Sequence, residues 1–563
     1  MDLVTSDNKH SFEMTSQGLC LGNQIICGQF EVMGLARTPQ SENWSTVLKF
    51  VDHDKVEHQL FISANELLDA KSLTEKLVQN GLKVCSPNKR DKIVEYISNH
   101  ITENRFLILE TSGWQNKGFY LPFSNEFIGK TNETTISRLK NQSVAKSKRL
   151  GSLEEWNNKL GYLMKENSNL LLASSTVLAS PLLKLMGKQN YGFNFVGKSS
   201  IGKSTILEFA ASVIGNSSKG SENYLCNFRT TDNALESIGW GHSDLCLMLD
   251  EFGQLDPYKV KDAIYLLGNG FTKGRSSKSG EANERKSFSI TYLSSSEVSL
   301  NGVLAQIGQK TKSGLEVRFI DIEAEVSSAN GCYENLHGFK SGKELSDYIK
   351  HESKKQYGSL FDEYIRHLVK QSHENETVLV NKLQNWTNDF IKSFPEIENQ
   401  ITDRIISSIA LNYASMMFAI EIELLNHLDQ SELILGLQKT VYSITERFGN
   451  VHNEENQIIE TIIDFIQVNE KSRFDIDESG SIKVFNRAGI IKNINGERFY
   501  CIFGSALNKE ICSSWSQKQI SGALEKHGFL KRNAQNKFSH SINFGNETLR
   551  AYPINSKILE YDF

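Results

Sequence analysis

The stretch "NFVGKSSIGKSTILE" (Asn194 to Glu208) constrains the fold more than any other part of this 563-residue chain. An apolar run, "YGFNFV", ends in Gly197, a second glycine follows at Gly202 with Lys203, Ser204 and Thr205 behind it, and the next residues, "ILEFAASVIG", have helical periodicity. Glycines let backbone N–H groups close around phosphate oxygens, and a helix opening at Lys203 turns its positive end toward the anion. The Lys203 ammonium would reach the outer phosphates of a nucleotide, and the Ser204 hydroxyl would coordinate Mg²⁺. Such a loop joins the carboxyl end of a buried strand to a helix, so the segment predicts a parallel α/β sheet.

Hydrolysis of a bound nucleotide also needs carboxylates. In "DLCLMLDEFGQLDP", Asp250 and Glu251 close an apolar strand, Leu245 to Leu249, as a Walker B element does. Asp250 is expected to hold Mg²⁺ and Glu251 to act as general base toward water. A third strand, "FSITYLSSSE" (Phe288 to Glu297), ends on Ser295 and Ser296. Either serine could sense the γ-phosphate, and either could simply cap the strand. In "GLEVRFIDIE", Arg318 sits among apolar strand residues. Two readings stay open for it: a finger on a neighbouring subunit's γ-phosphate, which would require a ring or filament, or a structural salt-bridge residue.

Between the acids and the serines, Asp256 caps and Pro257 starts a helix expected to stop at Gly268. The turn-rich segment after it carries Lys273, Arg275, Lys278, Arg285 and Lys286 against Glu281 and Glu284. A basic insertion beside the nucleotide could contact a phosphate backbone, although charge runs more often form solvated loops. Local patches matter here because the net charge of −5 gives no overall attraction to nucleic acid. The eight cysteines are scattered without zinc-ligand spacing, the amino terminus is polar and acidic, and the most apolar window (Asn169 to Gly187) is broken by Pro181 and Lys184. These features predict a cytoplasmic protein with no membrane span.

The length predicts about three or four domains. Residues 1–128 read as a small α+β domain, with a strand in "TVLKFVDH" and a helix over Ala64 to Leu82, and 129–152 as a basic linker. Strand and helix alternate through 153–338 after a helix that runs on from Glu154. A helical subdomain is expected over 339–452, and a winged-helix domain over 453–563. The basic tail of the last, with Lys526, Lys531, Arg532 and Lys537, is a candidate for duplex contacts, as are Arg138, Lys140, Lys146, Lys148 and Arg149 in the linker.

With these residues in place, the chain resembles the domain-of-unknown-function 927 family from about Val32 to Gly338. The resemblance is carried, in order, by "SGWQNKGFYLPF", "SLEEWNNKLGYL", "GFNFVGKSSIGKST", "NALESIGWGHSDLCLMLDE", "AIYLLGNGFTKGRSSKSG", "YLSSSE" and "SGLEVRFIDI". Its best-understood members look like replicative helicases of mobile cassette-chromosome elements, which are MCM-like ring ATPases. The resemblance implies an AAA+ type ATPase core, ATP and Mg²⁺ as ligands, a hexameric ring, and translocation on single-stranded DNA in the pore. It gives Lys203, Ser204, Asp250, Glu251 and Arg318 the roles above and matches Gly270 to Arg275 to a pore-lining hairpin. "NGFTKGR" departs from the family pattern in having Phe271 and Thr272 where a smaller glutamine-glycine step is usual.

The function expected on these grounds is an ATP-dependent DNA helicase of a mobile element. A nucleotide-switched oligomer in anti-phage defence or signalling is the alternative; strand displacement separates the two. A P-loop small-molecule kinase fits less well, because adjacent acids and a long basic hairpin suit hydrolysis and motion better than transfer to a small acceptor.

Overall fold

Five parallel strands form the sheet that positions the phosphate loop: β1 (Tyr191–Val196), β2 (Cys226–Asn227), β3 (Cys246–Asp250), β4 (Thr291–Ser296) and β5 (Phe319–Glu323). Their order across the sheet is β2-β3-β4-β1-β5. Helices cover both faces of such a sheet, so its strands read as continuous apolar runs rather than alternating ones. The chain leaves β1 for the far edge, returns one strand at a time through β2, β3 and β4, and passes β1 to add β5. β4 therefore separates β1 from β3, and register pairs Val196 with Ser296 and Leu249 with Ser294.

The computed structural model describes residues 11–39, 41–109, 111–115, 118–122, 126–130, 133–137, 149–218, 223–229, 231–272, 285–309, 311–394, 400–451, 454–476, 486–513, 515–544 and 547–561. These fall into two units, residues 1–307 with 311–438, and residues 439–563 with 308–310. Lys273, Arg275, Lys278 and most of the basic hairpin lie outside the described residues, as do Arg138, Lys140, Lys146 and Lys148.

In the first unit, helix α1 (Ser168–Ala179) is buried along its whole length, because "SNLLLASSTVLA" is apolar or small on every side. Thr291 of β4 donates its hydroxyl to the Thr176 carbonyl of this helix (2.8 Å). The single helix expected from Glu154 is broken: Leu153–Lys159 is followed by a 3₁₀ turn, Gly161–Met164, and then by α1. The side chain of Asn167 accounts for the second break. It donates to Leu163 and Asn335 carbonyls (both 2.9 Å) and accepts from Glu334 N, which ties the turn to a distant loop. Helix α2 (Lys203–Ile214) follows the phosphate loop, α3 (Asp232–Gly241) precedes β3, and α4 (Val260–Asn269) lies between β3 and β4. Helix α4 ends at Gly270 (φ 68°), not at the expected Gly268, since Gly270 adopts the left-handed conformation that closes a helix.

Before the parallel sheet stands a second five-stranded sheet, ordered Thr134–Ser137, Arg105–Leu109, Phe30–Arg37, Ser45–Val51, Glu57–Ser63. Its helix is shorter than the sequence suggests, Ala70–Gln79, because Asp69 caps it by accepting from Lys71 N and Ser72 N. Thr134–Ser137 pairs in parallel with Arg105–Leu109, so part of the expected linker is a strand. A tight joint ties this region to the parallel sheet. Ser112 Oγ donates to Gly241 and Ser243 carbonyls (2.9 and 2.7 Å), and Trp114 N donates to Asp244 Oδ2 (2.9 Å). Gly113 has φ 85°, and a Cβ there would lie 2.4 Å from Asp244 Cβ, so glycine is required for the approach.

After β5 the first unit is helical: α5 (Gly342–Glu352), α6 (Ser359–Lys392), α7 (Gln400–Glu421) and α8 (Gln430–Val451), the last crossing the unit boundary. The second unit continues with α9 (Glu454–Arg473), a sheet ordered β6 (Phe474–Ile476), β7 (Gly489–Ile494), β8 (Glu497–Phe503), β10 (Glu547–Asn555), β9 (His540–Phe544), and α10 (Gln517–Lys526) between β8 and β9. The sequence "FLKRNAQNKFSHSINFG" (Phe529 to Gly545) reads as paired short strands; β9 lies at its end and pairs with β10 just beyond it, while the part before β9 holds a turn in which Asn533 accepts from Gln535 N and Lys537 N (both 2.9 Å). Among the described residues, no helix is long and apolar enough to cross a membrane.

Candidate nucleotide site

At the carboxyl end of the parallel sheet, Gly197 leaves β1 by donating its N–H to the Ser296 carbonyl (3.1 Å). The loop then turns through two left-handed residues, Ser200 (φ 65°) and Gly202 (φ 113°), before α2 begins. Gly197 packs closely on the loop: a Cβ there would meet the end of the Ile201 side chain, Cδ1, at 2.6 Å, so Ile201 would have to turn aside. The loop is propped from outside by Cys332 N, which donates to the Ile201 carbonyl (3.2 Å).

Lys203 points its ammonium back into the loop, donating to the carbonyls of Gly197 (2.7 Å) and Lys198 (2.5 Å). Burial holds its pKa below the ordinary lysine range, while Glu297, Cys332 and Asp250 oppose that shift. Carbonyl oxygens are weaker partners for a buried ammonium than phosphate oxygens, so the lysine is placed to exchange them for an anion. Ser204 is exposed at the first turn of α2, and Thr205 is buried. The Tyr333 phenol hydrogen-bonds to Thr205 and, at 2.8 Å, to Ser346 Oγ.

Asp250 and Glu251 point in different directions. Asp250 Oδ1 accepts from Ser295 Oγ of the neighbouring strand and from Glu251 N (3.0 Å). Glu251 stands in a left-handed conformation (φ 61°) with its side chain exposed, and Oε2 accepts from Asn227 Nδ2 (3.1 Å). Asn227 is the last residue of β2 and has no motif around it in the sequence. Of the two serines, Ser295 meets Asp250, whereas Ser296 closes its own turn, donating to the Val298 carbonyl (2.7 Å) and accepting from Val298 N (3.1 Å).

A cavity of about 1160 Å³ opens over this cluster, and its lining includes Lys203, Ser204, Glu251 and Ser295. Its opposite wall was not foreseen from the sequence. It is made by the turn Ser328 to Gly331 and by the face of α5 that carries Ser346, Asp347 and Lys350. Gly331 fits against the phosphate loop because a Cβ there would lie 2.5 Å from the Ile201 carbonyl.

Arg318 lies at the other end of the sheet. Its carbonyl accepts from Gly192 N (2.9 Å), five residues before Gly197, a separation of about 16 Å along a strand. It precedes β5 rather than lying within it, because Ser313–Glu316 is a helical turn. The guanidinium donates to the Gly314 carbonyl (2.6 Å) and Asn269 Oδ1 (3.2 Å) and lies 5.5 Å from the Tyr265 ring centre. No carboxylate is among these contacts.

Among the cations proposed for nucleic acid, Arg285 is exposed, and Lys286 lies over the Trp240 ring at 4.7 Å. Arg149 pairs with the buried Asp362. In the second unit Lys531 is exposed, Lys526 pairs with Glu455 (2.9 Å), and Arg532 pairs with Glu525 through two bonds (2.7 and 3.1 Å).

The family described as domain of unknown function (DUF927) matches residues 6–287, half of the chain. The chain belongs to that family. The match begins upstream of the likeness seen in the motifs and ends before β4, so Ser295 and Arg318 of this DUF927 chain lie beyond it. No curated protein matches the chain. Among solved structures, the active helicase Cch of SCCmec type IV superposes on 98% of this DUF927 chain and 99% of its own, with a TM-score of 0.69 and 16% identity. That likeness is one of fold: a mixed α/β protein similar to a helicase structure. The apo C-terminal region of NrS-1 (305–718) aligns with 90% of the chain and 96% of its own at 10% identity, but with a TM-score of 0.27 it carries no argument.

Proposed function

We propose that this DUF927 protein is an ATP-dependent DNA helicase or translocase with an AAA+ type core, working as a ring-forming oligomer for a mobile genetic element. The observation that carries the hydrolytic part is the meeting of Gly197–Thr205, Asp250, Glu251 and Ser295 at one end of one parallel sheet, under a cavity large enough for a nucleotide. The likeness in fold to an active helicase supports the DNA part.

In this reading Gly197, Gly202 and Lys203 bind the phosphates, and the helix end of α2 adds to their field. The fit of Mg²⁺ rests on the donor set, one exposed hydroxyl (Ser204) and one carboxylate (Asp250), both oxygen ligands of the kind a hard cation takes. Mg²⁺, when bound, would supply charge neutralisation at the phosphates. Ser295 fixes the Asp250 carboxylate, and Glu251 takes the proton of the attacking water once released from Asn227. Arg318, at the far edge of the sheet, serves as a finger toward the nucleotide of the next subunit, which is why an oligomer, as a hexameric ring, belongs to the proposal. The pore assignment of Lys273, Arg275 and Lys278 rests on sequence, with Arg285 and Lys286 at the base of that segment. A winged-helix role for residues 453–563 completes the proposed layout.

Lys203→Ala tests this directly. It is expected to abolish ATP hydrolysis and strand displacement on a forked DNA while leaving the thermal unfolding midpoint near that of the unaltered chain. ATP hydrolysis without strand displacement or DNA stimulation by the unaltered protein would instead favour the nucleotide-switched oligomer.

A further inference from the structure

The second unit contains a cleft of about 670 Å³ to which, of the four cations named in the basic tail, only Lys537 contributes. It lies where the residues before β9 approach the start of α10 and the end of β8. The half-buried Phe503 and Phe538 supply aromatic surface, Tyr552 lies buried at the wall (5% exposed), Lys537 and Arg550 supply charge, and Gln517 completes the rim. Among the described residues, no acidic residue is in its lining.

The two cations differ from Arg532 and Lys526 in being available. Arg532 is held by Glu525 and lies over the Phe538 ring at 4.2 Å, so its charge is countered and its plane braces one side of the ring. Lys526 is likewise held by Glu455. Lys537 and Arg550 are exposed, and among the described residues neither is ion-paired. Tyr552 is fixed as well: its hydroxyl accepts from Gln517 Nε2. The aromatic surface is thus held in place by its own contacts, while the cations at the rim have no ion-pair partner among the described residues.

We infer that this cleft binds a single strand of DNA, taking an unstacked base against the half-buried Phe538 and the flanking phosphates on Lys537 and Arg550. Aromatic faces can stack on bases that have left a duplex, whereas paired bases present only their edges to a protein. A concave site of this size suits one or two nucleotides rather than the side of a double helix. The inference shares with the proposed function only that DNA is the partner, and it replaces duplex contacts in this unit with single-strand contacts. Lys531 and Arg532 then flank the site rather than form it.

The test is photocross-linking of the full chain to an oligothymidylate carrying 5-iododeoxyuridine, with mass-spectrometric mapping of the linked peptides. A link to the peptide bearing Phe538 is expected, competed by unlabelled single strand and not by duplex. Phe538→Leu keeps an apolar residue beneath Arg532 and is expected to lower this link about tenfold. Lys537→Ala with Arg550→Ala is expected to reduce the slope of log affinity against log salt by about 1.4, two contacts at roughly 0.7 each. Links confined to the first unit, equal competition by duplex, or no binding of the single strand would each overturn the inference. DNA-stimulated ATP hydrolysis without a link here would overturn it and leave the helicase reading standing; a link here without ATP hydrolysis would do the reverse.

Discussion

Replacing Asp244 by asparagine is expected to make the protein less sensitive to rising pH. Asp244 is 1% exposed; its Oδ2 accepts a hydrogen bond from Trp114 N (2.9 Å), while Oδ1 is buried without a partner among the described residues. Burial raises its pKa from 3.8 to about 7, against a smaller opposing pull from Lys184. The folded chain therefore holds a proton between about pH 4 and pH 7 that the unfolded chain has released, so folding loses stability as pH rises through that window. Each pKa unit is worth about 1.4 kcal/mol, and pH 5 lies about two units below the folded value, so the loss from pH 5 to pH 8 is about 3 kcal/mol. Asparagine keeps an acceptor for Trp114 N but does not titrate. Measured as thermal midpoints at pH 5, 6.5 and 8, the difference between Asp244→Asn and the unaltered chain should move in favour of the variant by about 3 °C across the range, the entropy of unfolding of a unit this size being about 0.9 kcal/mol per degree. A difference that stays constant with pH would refute the reasoning, because it would mean that Asp244 is charged at all three values.

Two further outcomes follow from particular contacts. Asn227→Ala removes the hydrogen bond to Glu251; steady-state kinetics should give a DNA-independent ATP hydrolysis rate about tenfold higher and a smaller stimulation by DNA, as expected for release of a charge-assisted bond of about 1.5 kcal/mol. Gly268→Ala places a Cβ 2.4 Å from Arg318 Cδ, so the arginine must move; ATP binding, read with a fluorescent analogue, should be unchanged while hydrolysis falls about tenfold.

The sequence carried the phosphate loop and the acidic pair because glycine punctuation and an unbroken apolar strand are local signals. Gly197 and the run Cys246–Asp250 each announce a strand end, and Gly202 a helix start, without help from elsewhere. The order of strands is not local, so the placement of β4 between β1 and β3, and hence the choice of Ser295 over Ser296 as Asp250's partner, emerged only from the fold. Asn227 belongs to a two-residue strand, too short for any periodicity to reveal. The wall formed by Ser328 to Gly331 and Asp347 reads as ordinary polar loop and helix surface until Gly331 is seen against Ile201. Thr134–Ser137 is a different case. The β-branched run "TTI" was a usable strand signal, obscured by the cations around it.

The position of β1 in the sheet also bears on how the protein is made. Both of its hydrogen-bonding neighbours come late in the chain, β4 at Thr291–Ser296 and β5 at Phe319–Glu323. Ribosomes add about 5–20 residues per second, so an apolar strand that ends at Val196 waits on the order of ten seconds before both of its edges can be paired. Unpaired apolar edges are templates for association between chains. The nascent protein is accordingly at its most vulnerable while the segment after α2 is being synthesised, and the phosphate loop cannot take its final shape until Ser296 has emerged to receive the Gly197 N–H.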